Sequence, residues 1–122
     1  MKNFYKLYST LDPVSDTRVW ASVDLLALRK NYRTLRSFLK TRLIAVVKAD
    51  AYGHGAPACV RALLEEGCDF FAVSSLEEAI AVREVCIEVQ KQAQILILGY
   101  TDVRFAQELA DFGLIQTLLS YD

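Results

Sequence analysis

One short segment combines a lysine, a tyrosine and two glycines at a spacing that suits nucleophilic chemistry. Five apolar residues, 43–47, predict a strand buried on both faces, and Lys48 follows them directly. Burial at the end of such a strand disfavours the ammonium form of a lysine, so its amine can act as a nucleophile or base near neutral pH. The alternative for an isolated lysine here is a stem packed on apolar surface with its ammonium in water.

The residues that follow Lys48 predict a turn that suits an anion. Gly53 and Gly55 lie in this turn, and Pro57 is typical of the first turn of a helix. A glycine-rich turn at a helix N-terminus presents backbone N–H groups and the positive end of the helix dipole, where a phosphate can bind. An amine beside a phosphate site suggests one ligand that carries both a carbonyl and a phosphate. Pyridoxal phosphate is such a ligand.

Residues 45–55, AVVKADAYGHG, resemble the pyridoxal-phosphate attachment motif of the alanine racemase family. The resemblance implies that Lys48 is the catalytic lysine and forms the Schiff base with the cofactor. It also implies that Tyr52 is a cofactor-binding residue whose hydroxyl hydrogen-bonds the cofactor phosphate. Asp50 stands where many members of the family have Asn, and we assign it no catalytic role.

The similarity to this family extends beyond the motif. The upstream stretch RVWASVD, followed by LRKNY, resembles the family's N-terminus, and the likeness runs from about Arg18 to Asp122. By this resemblance, residues 1–17 are an N-terminal extension and residues 18–23 form a strand of the family's C-terminal β domain. Residues 24–122 then form the first half of its N-terminal (β/α)8 barrel.

The resemblance implies an activity as well as a fold. It points to an isomerase that interconverts L- and D-alanine, a precursor of peptidoglycan, and that works as a homodimer. Racemisation needs a second base, which in the family is a tyrosine from the C-terminal domain of the partner subunit, and no residue here matches it. The 122-residue chain is therefore expected to be inactive alone. Serine racemase of the same family is the alternative.

Two other classes of protein stay open on the residues themselves. A barrel that binds pyridoxal phosphate without turning over amino acids would have the lysine but not the Tyr-Gly-His-Gly run, which is present at 52–55. A small doubly wound interaction or receiver domain would need a complete hydrophobic core within 122 residues.

Composition and charge exclude several partners. The chain is 53% hydrophobic and 24% charged, which is typical of a globular protein. Its net charge is −1 and its basic residues are scattered, so the sequence predicts no basic patch that would bind nucleic acid. No apolar run approaches the roughly 20 residues that cross a bilayer, and no signal peptide is evident at the N-terminus, so we expect no membrane association and a cytoplasmic location.

The remaining metal-binding residue types predict no metal site. Cys59, Cys68 and Cys86 match no zinc or redox spacing, and we interpret them as small buried hydrophobic residues. His54 is the only histidine and has no ligand-type residue at metal-binding spacing. We therefore interpret His54 as a residue that serves the geometry of the loop.

Strands alternating with helices position the motif. Asp24 predicts the N-cap of a first helix. Its core face is predicted to hold apolar residues at helical spacing, and the other faces to be solvated. The core face comprises Leu25, Leu28, Tyr32, Leu35 and Leu39, and the solvated residues are Arg29, Lys30, Arg33 and Arg36. Later elements are predicted at 57–66 (helix), 70–73 (strand), 76–89 (helix, with a Ser-Leu-Glu-Glu capping box), 95–98 (strand), 103–111 (helix) and 114–119 (strand).

This alternation predicts an α/β fold built from right-handed βαβ units on a parallel sheet. A complete (β/α)8 barrel takes ~250 residues, so the chain is either the N-terminal half of a barrel or a small doubly wound domain. The resemblance favours the half barrel, with Lys48 at the carboxyl end of its first strand, where catalytic groups of such barrels lie. The strands near Val46 and Thr117 would then be open edges, which favours aggregation.

Overall fold

The computed structural model describes residues 21–120. They form one parallel sheet in the order β1-β2-β3-β4, with helices between successive strands. The elements are α1 (Leu25–Phe38), β1 (Ala45–Val46), a left-handed turn (Lys48–Gly53), α2 (Ala56–Glu65), β2 (Phe70–Val73), α3 (Leu76–Glu88), β3 (Gln94–Ile97), a 3₁₀ turn (Val103–Phe105), α4 (Ala106–Asp111) and β4 (Ile115–Gln116). Consecutive strands are neighbours, as in a barrel wall, whereas the strand order of a doubly wound sheet reverses. The predicted half barrel is confirmed.

Helix α1 begins where the sequence predicts it. The Asp24 carboxylate accepts hydrogen bonds from two N–H groups of the first turn at 2.9 and 3.0 Å. Tyr32 is buried in the core, but Leu35 and Leu39 are 57% and 42% exposed. The predicted core face is therefore wrong for the last turns of α1, because no described element covers them.

The arginines of α1 are not simply solvated, which corrects a second expectation. Arg29 forms an ion pair with Glu65, and Arg33 Nε lies 3.4 Å from a Glu66 carboxylate oxygen. Both pairs join α1 to α2. Since they are partly exposed, each contributes at most about 1 kcal/mol to stability.

Strand β1 is shorter and less covered than predicted. Val47 is buried, and its N–H donates to the Ala72 carbonyl oxygen at 2.9 Å. Ile44 and Val46, on the other face, are 41% and 40% exposed. The strand is confirmed, but burial on both faces is wrong for the described residues, because nothing among them packs on that face.

The central unit α2-β2-α3 agrees with the sequence. Gly67 ends α2 with φ +83°, a conformation that favours glycine. The N–H of Glu78 donates to the Ser75 hydroxyl oxygen at 3.3 Å, which confirms Ser75 as the N-cap of α3. The core lies between the sheet and α2 and α3, and its largest fully buried side chains include Phe71 and Ile95. All three cysteines are free and buried, as predicted.

The C-terminal elements are shorter than predicted. Asp102 caps the 3₁₀ turn, since its carboxylate accepts the Arg104 N–H at 2.9 Å. The strand expected over 114–119 pairs only at β4, and Leu118 is 80% exposed. Of the strand expected at 18–23, residues 18–20 lie outside the described part of the chain and residues 21–23 form no strand. The extension expected at 1–17 lies outside it as well.

One partly buried connection was not foreseen from the sequence. The guanidinium of Arg83, on α3, donates to three backbone carbonyl oxygens: Phe112 at 2.9 Å, Ala93 at 3.0 Å and Gly113 at 3.1 Å. These bonds tie α3 to the segment before β3 and to the end of α4. A planar guanidinium suits such a set because its N–H groups have fixed directions.

We expect Arg83→Met to destabilise the fold by about 2 kcal/mol, because hydrogen bonds from a charged group contribute ~1.5–3 kcal/mol and part of that is recovered by solvation of the carbonyls. Urea unfolding followed by circular dichroism measures the change. Arg104→Met is the matched control, since the Arg104 side chain is 79% exposed and its contacts, with Asp102 and the Phe105 ring, are to neighbouring residues in sequence. Equal midpoints for both variants would contradict this role of Arg83.

Candidate active site

The parallel sheet brings the carboxyl ends of its strands to one edge. Lys48 lies there, half-buried, directly after the buried Val47. Ser74 follows β2 at the same edge, since Val46 pairs with Ala72 in the register of the two strands. The position predicted for Lys48 at the end of a barrel strand is therefore the position that the structure gives it.

The Lys48 amine faces Tyr52. Its Nζ lies 6.0 Å from the centroid of the Tyr52 ring, within range of a cation–π contact. Within residues 21–120, Lys48 Nζ makes no hydrogen bond or ion pair. The amine is thus positioned without being neutralised by a carboxylate.

Tyr52 is not a core residue. Its side chain is 60% exposed, so within the described residues it does not fill the core. The sequence prediction brought Lys48 and Tyr52 into one site, and the structure places them on one turn. A free amine and an exposed phenol side by side fit a ligand with a carbonyl and a phosphate, so these residues fit pyridoxal phosphate.

The backbone between these two residues has an unusual conformation. Ala49, Asp50, Ala51 and Tyr52 have φ values of 50–55° and ψ values of 39–51°. This is the left-handed helical region, which costs roughly 1–2 kcal/mol for each non-glycine residue. The sequence predicted a turn here but not its hand, because none of the four residues is glycine.

Hydrogen bonds and burial hold this turn together. The Ala51 N–H donates to the Val47 carbonyl oxygen at 3.0 Å, and the Gly55 N–H donates to that of Asp50 at 2.9 Å. The methyl group of Ala51 is buried in the core. His54 Nδ1 lies 2.8 Å from the Ala51 carbonyl oxygen, in keeping with a role in loop geometry.

Asp50 occupies the anion site that the sequence predicted for a phosphate. Its Oδ1 accepts the Ala56 N–H at 2.7 Å, at the start of α2, where Gly55 is the N-cap with φ 87°. Pro57, the next residue, has no N–H to offer. The helix N-terminus therefore already carries a carboxylate at one of its N–H groups, and phosphate binding at this turn stays a prediction.

Glu78 is the site residue that sequence reasoning missed. Its Oε1 accepts the Ala49 N–H at 2.8 Å, and its Oε2 accepts the N–H and the hydroxyl of Ser74 at 2.8 and 2.7 Å. Burial raises the pKa of Glu78, but the hydrogen bonds from Ser74, Ala49 and Ser75 outweigh it and hold the pKa below its ordinary value. The sequence could have indicated Glu78 by one feature, its place in the first turn of the helix that follows β2.

Gly99 fixes the position of Ser74. A Cβ at residue 99 would lie 2.4 Å from the Ser74 carbonyl oxygen, which no side chain can tolerate. The chain leaving β3 therefore passes directly against the end of β2, and Gly99 permits this close approach.

An apolar groove of about 530 Å³ lies between α1 and β1. Tyr32, Leu35 and Val46 are among its lining residues, but neither Lys48 nor Tyr52 is. Within residues 21–120 there is no group of three or more metal-ligating side chains, and no helix that is long and apolar enough to cross a membrane.

The chain matches a known protein family over most of its length. The model of the alanine racemase N-terminal domain matches residues 23–122. Alanine racemase 1 of Clostridium acetobutylicum is 40% identical over 105 residues, which make up 85% of this chain and 26% of that protein.

Solved structures give the same result. The alanine racemase of Clostridium difficile 630 superposes with a TM-score of 0.76 at 32% identity, over 86% of this chain and 27% of that one. The alanine racemase of Bartonella henselae, solved with covalently bound pyridoxal phosphate, superposes with a TM-score of 0.68 at 34% identity, over 77% of this chain and 26% of that one. This chain spans about a quarter of the length of these relatives.

Proposed function

The chain belongs to the alanine racemase family, which it matches in the N-terminal domain, and we propose that it contributes the lysine-bearing part of a pyridoxal-phosphate-dependent alanine racemase. The observation that carries the proposal is the Lys48 amine, half-buried at the carboxyl end of β1, with the Tyr52 ring 6.0 Å away. The structural relative from Bartonella henselae, which holds pyridoxal phosphate covalently, supports the same cofactor.

Each site residue has a distinct role in this proposal. Pyridoxal phosphate, when bound, supplies the electron sink that acidifies the α-proton of an amino acid. Lys48 holds the cofactor through its amine and moves the α-proton on one face of the substrate. Tyr52 donates a hydrogen bond from its hydroxyl to the phosphate, which its exposure on the turn permits.

The partner and the setting belong to the proposal as well. Racemisation needs a second base on the opposite face, and we assign none within this chain. A homodimer in which the partner subunit supplies that base is the assembly we propose, acting in the cytoplasm in the supply of D-alanine for peptidoglycan. Alanine is the proposed substrate on the names of the relatives, with serine as the alternative.

We expect Lys48→Ala to abolish covalent binding of pyridoxal phosphate, because among residues 21–120 it is the Lys48 amine that lies beside Tyr52. The measurement is the absorbance spectrum of the protein with added cofactor, before and after borohydride reduction, followed by peptide mapping. Lys40→Ala is the matched control and should bind normally. A reduced adduct on Lys40 or on Lys91, whose Nζ instead donates to the Leu64 carbonyl oxygen at 2.8 Å, would contradict the assignment.

We expect Tyr52→Phe to weaken cofactor retention by roughly tenfold to a hundredfold while covalent binding to Lys48 persists. A hydroxyl donating to a charged phosphate contributes about 1.5–3 kcal/mol, and each ~1.4 kcal/mol is a factor of ten in affinity. Titration with pyridoxal phosphate measures the change, and Tyr100→Phe, at another exposed tyrosine, is the control. Equal affinity for Tyr52→Phe and the unaltered chain would leave the hydroxyl without a role.

We expect the 122-residue chain, mixed with pyridoxal phosphate and L-alanine, to make D-alanine far more slowly than a complete enzyme. Loss of one positioned acid–base group typically costs about 10²–10⁴-fold in rate. Chiral chromatography of the alanine measures the product. Turnover at ~1–10³ per second, the range typical of enzymes, would show that all the required groups are present here.

A further inference from the structure

The peptide that follows Lys48 is held by a side chain from the next βα unit. Glu78, on α3, accepts the Ala49 N–H at 2.8 Å through Oε1, across 29 residues of sequence. Ala49 is the first residue of the turn with a left-handed backbone conformation, with φ 50°. The contact therefore acts at the point where the chain leaves β1 and changes hand.

The same carboxylate is fixed from its other side. Glu78 Oε2 accepts two hydrogen bonds from Ser74, one from the backbone N–H at 2.8 Å and one from the hydroxyl at 2.7 Å. Its place in the first turn of α3 favours a negative charge, because the helix dipole is positive there. With both oxygens engaged, the side chain joins the carboxyl ends of β1 and β2.

We propose that Glu78 is a positioning residue for Lys48: its carboxylate holds the Ala49 peptide, and through that peptide it presents the Lys48 amine at the edge of the sheet. This inference rests on the proposed function, since it concerns how the amine meets pyridoxal phosphate. Left-handed backbone is disfavoured for alanine, so Ala49 without this acceptor relaxes toward the commoner regions. That relaxation changes the direction of the chain at Lys48.

Capping of α3 alone does not account for this geometry. In a capping box the glutamate at the third helical position serves the N-terminus of its own helix. Here the carboxylate contacts the backbone of the N-cap Ser75 but also accepts from Ala49 and Ser74, which follow two different strands. A purely capping residue would affect the stability of α3 and leave the amine of Lys48 where it is.

The test compares three variants of the full chain. Glu78→Gln keeps the length of the side chain but has only one acceptor oxygen for three donors. Glu78→Asp keeps the charge but is one methylene shorter, so it cannot reach both Ala49 and Ser74. Glu77→Gln is the matched control, because Glu77 lies beside Glu78 in the same helical turn and its carboxylate hydrogen-bonds its own backbone and the Ser75 side chain.

Two measurements report on position and not merely on folding. The first is hydrogen exchange of the Ala49 amide by NMR, made without any cofactor. The second is the affinity of covalent pyridoxal phosphate binding, taken from the absorbance titration under conditions where urea curves show every variant folded. We expect both Glu78 variants to lose about tenfold to a hundredfold in affinity and to exchange the Ala49 amide at least tenfold faster. Glu77→Gln should change neither.

If Glu78→Gln and Glu78→Asp do not fold, Ser74→Ala takes their place, since it removes one donor to Oε2 and should weaken cofactor binding several-fold. Unchanged exchange at Ala49 with unchanged affinity in the folded variants would overturn the positioning role. Failure of the unaltered chain to bind pyridoxal phosphate at Lys48 would instead refute the proposed function. The exchange of the Ala49 amide would still decide the structural part of the inference.

Discussion

The left-handed turn after Lys48 is the constraint on which the candidate site depends. Four successive non-glycine residues in this conformation cost roughly 4–8 kcal/mol together. Four hydrogen bonds offset this cost. The N–H groups of Ala49 and Ala56 donate to carboxylates, and the N–H groups of Ala51 and Gly55 donate to backbone carbonyl oxygens. By typical values these contribute about 4–9 kcal/mol, so cost and compensation are of equal size. Removal of any one of these hydrogen bonds therefore destabilises the turn that carries the site.

That balance explains the arrangement of acidic residues around the turn. The carboxylates of Asp50 and Glu78 accept hydrogen bonds from backbone N–H groups, and neither pairs with the Lys48 amine. Strained backbone persists only where its surroundings over-determine it, and such places are common at functional sites. The consequence here is a lysine followed by a hydrogen-bonded turn, with an amine that makes no hydrogen bond or ion pair within residues 21–120.

The sheet that carries the site is incomplete on both sides within residues 21–120. In a closed barrel every strand has two neighbours, but β1 and β4 have one each. Exposed apolar residues cluster at these edges, among them Val46 beside the groove and Leu118 after β4. The site is nevertheless formed by β1, β2 and α3, which contact one another directly.

The sequence alone determined the α/β alternation, the caps at Asp24 and Ser75 and the place of Lys48 after β1, because periodicity, capping and motif spacing are local properties of the chain. It did not determine the lengths of β1 and β4 or the exposure of Leu35, since these depend on which faces other elements cover. Nor did it show the hand of the turn or the role of Glu78. A left-handed alanine is unfavourable by itself, and only the parallel packing of β1 against β2 brings the compensating carboxylate to the Ala49 N–H.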